Sequence, residues 1–393
     1  MPETKLTGED ISFILNDGEE QMTEQNNKPV KMRSSNIELY RIFVMLLIIL
    51  HHYLVNSDLF LTAMGDPDSG ASWIAFVIGA YGKMGINCFV LITGYYMCRK
   101  KISLRKYLLL LFEVWFYSIL LMIIDQIFGL ETINLDAVVY YMFLTQARSI
   151  QFVASFLLFY PLIPFLNILI RNLDFARHTI LISLLLFIFT IRANIPDYVV
   201  SLNYVFWFCV IYLIGAYLNI YNDRFASFTG DWRKMLAVVL ALFVVSVFAV
   251  KQGMMLTAVS KEDLVMFNMM DSNKVIPVLL AVVLFLFFKS IRVPDSRFIN
   301  LLGKATFGIL ILHTSFGSLI WNTLRPDQWY GSAFIILHAL ACALGVFAAC
   351  AVVDIIRIYL FEKPLFRLIG EKVDHIEQLA VDYCRKKLTD KQS

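Results

Sequence analysis

NIELYRIFVMLLIILHHYLVNSD, residues 36–58, decides the fold. From Ile42 to Leu50 every residue is apolar. A helix needs about 20 mostly apolar residues to cross the hydrocarbon core of a bilayer. Ile37 to Val55 supplies that length, and in doing so carries Arg41, His51 and His52 into the membrane or to its edge. Ionisable side chains are costly there and point to function by default. Arg41 and His52 stand eleven residues apart. At about 100° per residue that is roughly three full turns, so both project from nearly one face, about 16 Å apart along the axis. His51 is expected to point well off that face.

Bland readings stand beside the functional one. A lone arginine near the end of a span can snorkel to the headgroups. A histidine next to the interface can be a polar end to the span. Neither reading accounts for the two residues sharing a face.

The rest of the composition agrees with a membrane chain. Of 393 residues 59% are hydrophobic and only 17% charged, against about 25% charged in soluble domains. The mean hydropathy is +0.68. The net charge of +3 gives no support for nucleic-acid binding. The six cysteines are scattered, with no C-x-x-C pair, so neither a zinc site nor a disulfide framework is suggested. Residues 1–36 are polar, without the apolar core of a signal peptide, and read as a disordered cytoplasmic tail.

Ten spans can be drawn, at 37–56, 72–97, 104–128, 150–170, 178–192, 201–219, 234–250, 274–290, 303–323 and 331–361. The expected fold is therefore all-α, a polytopic membrane protein whose membrane domain covers 37–361. Residues 362–393 read as a basic amphipathic cytoplasmic helix. Asp136 to Gln146 is too short to span and reads as interfacial or re-entrant. With the N-terminus inside, about 25 Lys and Arg fall on the cytoplasmic side and about 6 outside, the bias the positive-inside rule demands. Both termini are then cytoplasmic. The loops are small, so any site must lie largely within the bundle.

A second polar cluster lies in the second span, KMGINCFVLITGY from Lys83 to Tyr95. Gly85 and Gly94 permit close helix contact, and Thr93 suits the polar glue between spans. A lysine at that depth should face protein or water. Elsewhere, Glu113 is placed to pair with a basic residue of another helix. Asp354 and Arg357, three apart, are placed to satisfy each other. His313 lies near mid-depth in the ninth span, and His338 in the tenth.

These residues carry a resemblance. The chain is similar to the bacterial integral-membrane acyltransferases of acyltransferase family 3. The first span has Glu38 three before Arg41, then the family's R-x10-H spacing from Arg41 to His52. The second span resembles the family's R-x-G-V-x-x-F-F-x-I/L-S-G-F/Y block. Gly85, Phe89, Gly94 and Tyr95 keep that pattern, with Lys83, Ile86, Val90 and Thr93 standing for Arg, Val, Phe and Ser. Tyr212 to Tyr217 and Phe307 to His313 resemble further family stretches, and the likeness spans about residues 36–362.

The resemblance implies transfer of an acyl group, usually acetyl, from cytoplasmic acyl-CoA to a hydroxyl of a cell-surface glycan or its lipid-linked precursor. The expected location is the bacterial inner membrane. Acyl-CoA is a donor substrate, and no permanently bound cofactor or metal is expected. The remaining expected partners are the glycan and membrane lipids, and a homodimer stays open. His52, Arg41 and Lys83 are the candidate catalytic residues. Glu38, Asn87, Tyr95 and His313 are the candidate substrate or cofactor contacts. A neutral imidazole at His52 would take the proton of the attacking hydroxyl; Lys83, Asn87 or Tyr95 would stabilise the oxyanion or orient the thioester. Transient acylation of His52 itself stays open on sequence grounds. A transporter or flippase for a glycan or lipid-linked sugar is the main competing reading, although no internal repeat is visible.

Overall fold

The computed structural model describes residues 34–127, 151–192, 203–260 and 270–389. The tail before Ser34 and the segment Asp136 to Gln146 lie outside these residues. All regular structure among the described residues is helical. The helices that matter here are α1 (Ser35–Val55), α2 (Gly70–Gly79), α3 (Met84–Met97), α4 (Leu104–Ile127), α5 (Gln151–Phe159), α6 (Ile163–Arg171), α7 (Phe175–Leu186), α8 (Tyr204–Ile220), α9 (Trp232–Ser260), α10 (Val275–Ser290), α11 (Arg297–Ser315), α12 (Gly317–Leu324), α13 (Ile335–Arg357) and α14 (Lys363–Thr389). Among the described residues, seven apolar helical stretches are long enough to cross a membrane, and three more are shorter. The ten correspond to the ten expected spans.

Helix α1 sits at the centre and packs against α2, α3, α10, α11 and α13. Its side chains Tyr40, Val44, Met45, Ile49, Tyr53 and Leu54 are fully buried. The outer surface is the reverse. On α9, Leu240, Phe243, Val244, Val245 and Phe248 are 43–62% exposed. An apolar exterior is stable when the surrounding solvent is lipid, and helices satisfy their own backbone groups there.

Three expected spans differ in detail. The second is broken at Ala80–Lys83, between α2 and α3. Its composition is apolar across the break, so hydropathy reads it as one span. The ninth runs as a single helix only from Arg297 to Ser315; a separate short helix, α12, follows at Gly317. The tenth begins at Ile335 and continues, through a wider turn at Ile358–Glu362, into α14.

Close crossings rest on glycine. A Cβ on Gly94 of α3 would stand 2.4 Å from the Tyr212 carbonyl oxygen, and one on Gly215 of α8 would stand 2.5 Å from that of Leu91. The two helices therefore touch backbone to backbone, as small residues allow in membranes. The end of α10 is capped from α1: the Asn36 amide donates to the carbonyls of Phe288, Lys289 and Ile291 at 3.0, 3.3 and 3.4 Å. Those carbonyls lie at the helix terminus, where intrahelical donors run out.

The buried charges are paired. Arg357 reaches Asp354 at 2.8 Å, Glu362 at 2.8 Å and Glu113 at 3.0 Å. Tyr117 donates to Asp354 at 2.6 Å, and Lys304 holds Glu362 at 2.7 Å. Glu113 thus finds its basic partner on another helix, and Asp354 and Arg357 meet as their spacing suggests.

Candidate active site

Helix α1 is unbroken from Ser35 to Val55, so Arg41 and His52 lie on one helix as the spacing requires. The site is built around its His52 end. His52 Nδ1 lies 2.9 Å from Nε2 of His313, with the rings stacked at 4.9 Å. His313 is fully buried behind His52, and its Nδ1 lies 2.7 Å from the Ile309 carbonyl oxygen. A carbonyl only accepts, so the His313 proton is on Nδ1 and, in the neutral ring, Nε2 carries a lone pair. His52 Nδ1 must then donate to it. This assignment, made from hydrogen-bond partners, leaves a lone pair on His52 Nε2.

His52 borders a cavity of about 240 Å³. Its wall divides by chemistry. His51, His52, Lys83, Gln151, Tyr204 and Thr314 supply polar groups, and Ile48, Ile86, Phe89, Phe152 and Leu310 supply apolar ones. His51, about 100° round α1 from His52, borders the same cavity. Its Nδ1 is committed to the Gly79 carbonyl at 2.6 Å, at the break between α2 and α3. Gly82 makes that approach possible, since a Cβ there would lie 2.1 Å from the Cβ of His51.

Lys83 closes the end of α3 and faces the cavity, with its ammonium 3.4 Å from Asp271. The Thr314 hydroxyl is buried and has no hydrogen-bond partner among the described residues. Thr314, Tyr204, Gln151 and Phe152 are cavity residues that sequence reasoning missed. Thr314 is adjacent in sequence to His313, and that neighbourhood was the one available signal.

The remaining candidates lie elsewhere. Asn87 is held between two partners: its amide donates to the Ser272 carbonyl at 2.6 Å and accepts from the Trp207 indole at 2.9 Å. Glu38 is buried over Gly303, where a Cβ would come within 2.3 Å of its carboxylate, and lies 3.7 Å from Arg41 Nε. Tyr95 stands near the opposite end of α3, against Phe285, with the Lys289 ammonium 5.2 Å from its ring centre. His338 pairs with the Tyr53 hydroxyl at 2.9 Å and stacks on Trp329. The expected residues therefore form two groups. His52 and Lys83 border the cavity, with His313 behind His52; Glu38, Arg41 and Tyr95 gather toward the other end. Among the described residues, no group of three or more His, Cys, Asp or Glu side chains is disposed to hold a metal ion.

The site is thus a pair of imidazoles in a helical bundle, one of them bordering an amphipathic cavity. The family model described as an acyltransferase domain matches residues 34–355, and the chain belongs to that family, acyltransferase family 3. It is a membrane acyltransferase, which favours acyl transfer over the transporter reading. No curated protein and no solved structure matched the chain.

Proposed function

We propose that the protein moves an acyl group, acetyl in the first instance, from acyl-CoA to a hydroxyl of a cell-surface glycan or its lipid-linked precursor. The observation that carries this reading is the His52–His313 pair, which leaves a basic nitrogen on His52 beside the cavity. A hydroxyl is a weak nucleophile at neutral pH. His52 Nε2 takes its proton as the oxygen attacks the thioester carbonyl, a role worth about 10²–10⁴ in rate. The new C–O bond forms, the C–S bond breaks, and the proton passes from His52 to the departing thiolate. Lys83, Tyr204 and Thr314 are the groups available to the oxyanion.

Donor and acceptor approach from opposite ends of α1. Arg41, Lys289, Lys304 and the run Arg99, Lys100, Lys101 gather charge suited to the phosphates of CoA near one end. That end faces the cytoplasm of a bacterial inner membrane under the positive-inside rule, and both termini lie there. The glycan meets the thioester at the His52 end.

The test is turnover of radiolabelled acetyl-CoA by the purified protein in nanodiscs, wild type against His52→Ala. Histidine-dependent release of CoA with label passing to envelope glycan is expected. Equal release by both proteins would remove His52 from the chemistry. No turnover of acetyl-, succinyl- or longer acyl-CoA by a folded protein given those glycans would sink the reading.

A further inference from the structure

The two groups of candidate residues are about 16 Å apart along α1, and something must join them. Helix α3 runs alongside, antiparallel, with Lys83 at the cavity and Tyr95, at the other end, against the ring of Phe285, which also packs on Tyr40 beside Arg41 in α1. Its burial pattern is sharply divided. Lys83, Ile86, Phe89, Thr93, Tyr96 and Met97 are half-buried, and every other residue from Met84 to Cys98 is buried. The spacing of three to four from Lys83 to Tyr96 puts five of them on one stripe of the helix, with Met97 beside Tyr96.

That stripe is more covered than the outer surface of α9. None of its residues reaches the exposure of the outward side chains of α9. Ile86 and Phe89 border the cavity itself, Phe152 of α5 stands 6.3 Å from Phe89 between ring centres, and Lys83 is paired to Asp271. The stripe starts at the cavity, with Lys83, Ile86 and Phe89 in its wall, and continues as half-buried side chains toward the Arg41 end of α1. From Lys83 to Tyr96 it runs about 20 Å, at about 1.5 Å per residue.

We infer that this stripe is the track for the pantetheine arm of the donor. The inference rests on the acyl-CoA reading above and adds where the arm lies. Pantetheine is a thin chain with apolar segments and two amides. Ile86, Phe89 and Tyr96 offer apolar and aromatic surface of matching kind. Thr93 stands midway. Its hydroxyl donates to the Phe89 carbonyl at 3.0 Å, which leaves its lone pairs to accept from an amide N–H of the arm. Arg41 meets the phosphates at one end, and the thioester arrives beside His52 at the other.

The test compares two donors of different length. Acetyl-CoA must use the whole track; the acetyl thioester of N-acetylcysteamine carries only the last part of the arm. Thr93→Trp, which blocks the proposed track midway, should lower kcat/KM for acetyl-CoA about tenfold relative to the short donor. Thr93→Val, which keeps the shape and removes the acceptor, should raise KM for acetyl-CoA severalfold more than for the short donor. It serves if the tryptophan variant does not accumulate, and Thr93→Ser should restore the wild-type ratio. An unchanged donor ratio in the variants overturns the track while leaving acyl transfer intact. A wild-type protein that uses neither donor overturns the acyl-CoA reading, and the track with it.

Discussion

His52 Nδ1 and His313 Nε2 meet at 2.9 Å, across 261 residues of chain. The contact sets the tautomer of His52, because His313 has already given its own proton to the Ile309 carbonyl. In the proposed reaction His313 is thus a positioning residue, in the way a third group orients the base of a hydrolytic triad. His52→Ala should abolish transfer. His313→Phe keeps the bulk, removes the acceptor and frees the His52 ring to rotate; kcat should fall about tenfold to a hundredfold, with KM for acetyl-CoA little changed. His313→Gln, which still offers an acceptor, should recover part of the loss. Steady-state kinetics on the three variants checks this, and a His313→Phe protein with wild-type kcat would show that the pair is only structural.

Gly82 makes a second prediction, about the break between α2 and α3. A Cβ there overlaps that of His51, and the His51–Gly79 hydrogen bond holds the break in place. Gly82→Ala must push α1 and the break apart, and a displacement of the order of 1 Å at a reacting centre costs about a hundredfold in rate. Gly70, where a Cβ meets nothing within 4 Å, is the control. Transfer should be lost in Gly82→Ala and kept in Gly70→Ala, at similar levels of membrane-inserted protein. By the same geometry His51→Ala should be milder than His52→Ala.

The ten spans and the Arg41–His52 face could be read from the sequence because both are local. Apolar length makes the span, and one helix fixes the spacing. What could not be read is what distant segments bring together. Nothing in the chain places His313 behind His52, since the pairing depends on how α1 and α11 pack. The partners of Asn87 were equally hidden: Trp207 and the Ser272 carbonyl use its amide to join α3, α8 and the segment before α10. The break at Ala80–Lys83 is hidden because its residues are as apolar as their neighbours, apart from Lys83 itself.

The Arg357 network gives a prediction for stability. One guanidinium serves three carboxylates, and Lys304 assists with Glu362 only. Arg357→Ala leaves Glu113 and Asp354 buried without their partner, at a cost of about 3–5 kcal/mol. Arg357→Lys should recover little, because an ammonium cannot reproduce the planar fork. Thermal unfolding in detergent, followed by size-exclusion chromatography, should show both variants well below wild type. If Arg357→Lys unfolds with the wild type, the network acts through charge alone.

Arg41 provides the last prediction. It stands about three turns from His52 along α1, too far to touch the reacting atoms, and its neighbour Glu38 is fixed over Gly303. Its part in the proposed reaction is therefore in holding the donor. Arg41→Ala should raise KM for acetyl-CoA about tenfold and leave kcat close to wild type, the signature of lost ground-state binding. Arg41→Lys, which keeps the charge without the fork, should fall between. A donor lacking phosphates, such as the N-acetylcysteamine thioester, should be used about equally by Arg41→Ala and wild type. Loss of kcat with both donors would instead mean that Arg41 supports the helix packing, and the phosphate-binding end of the site would have to be sought among the other basic residues.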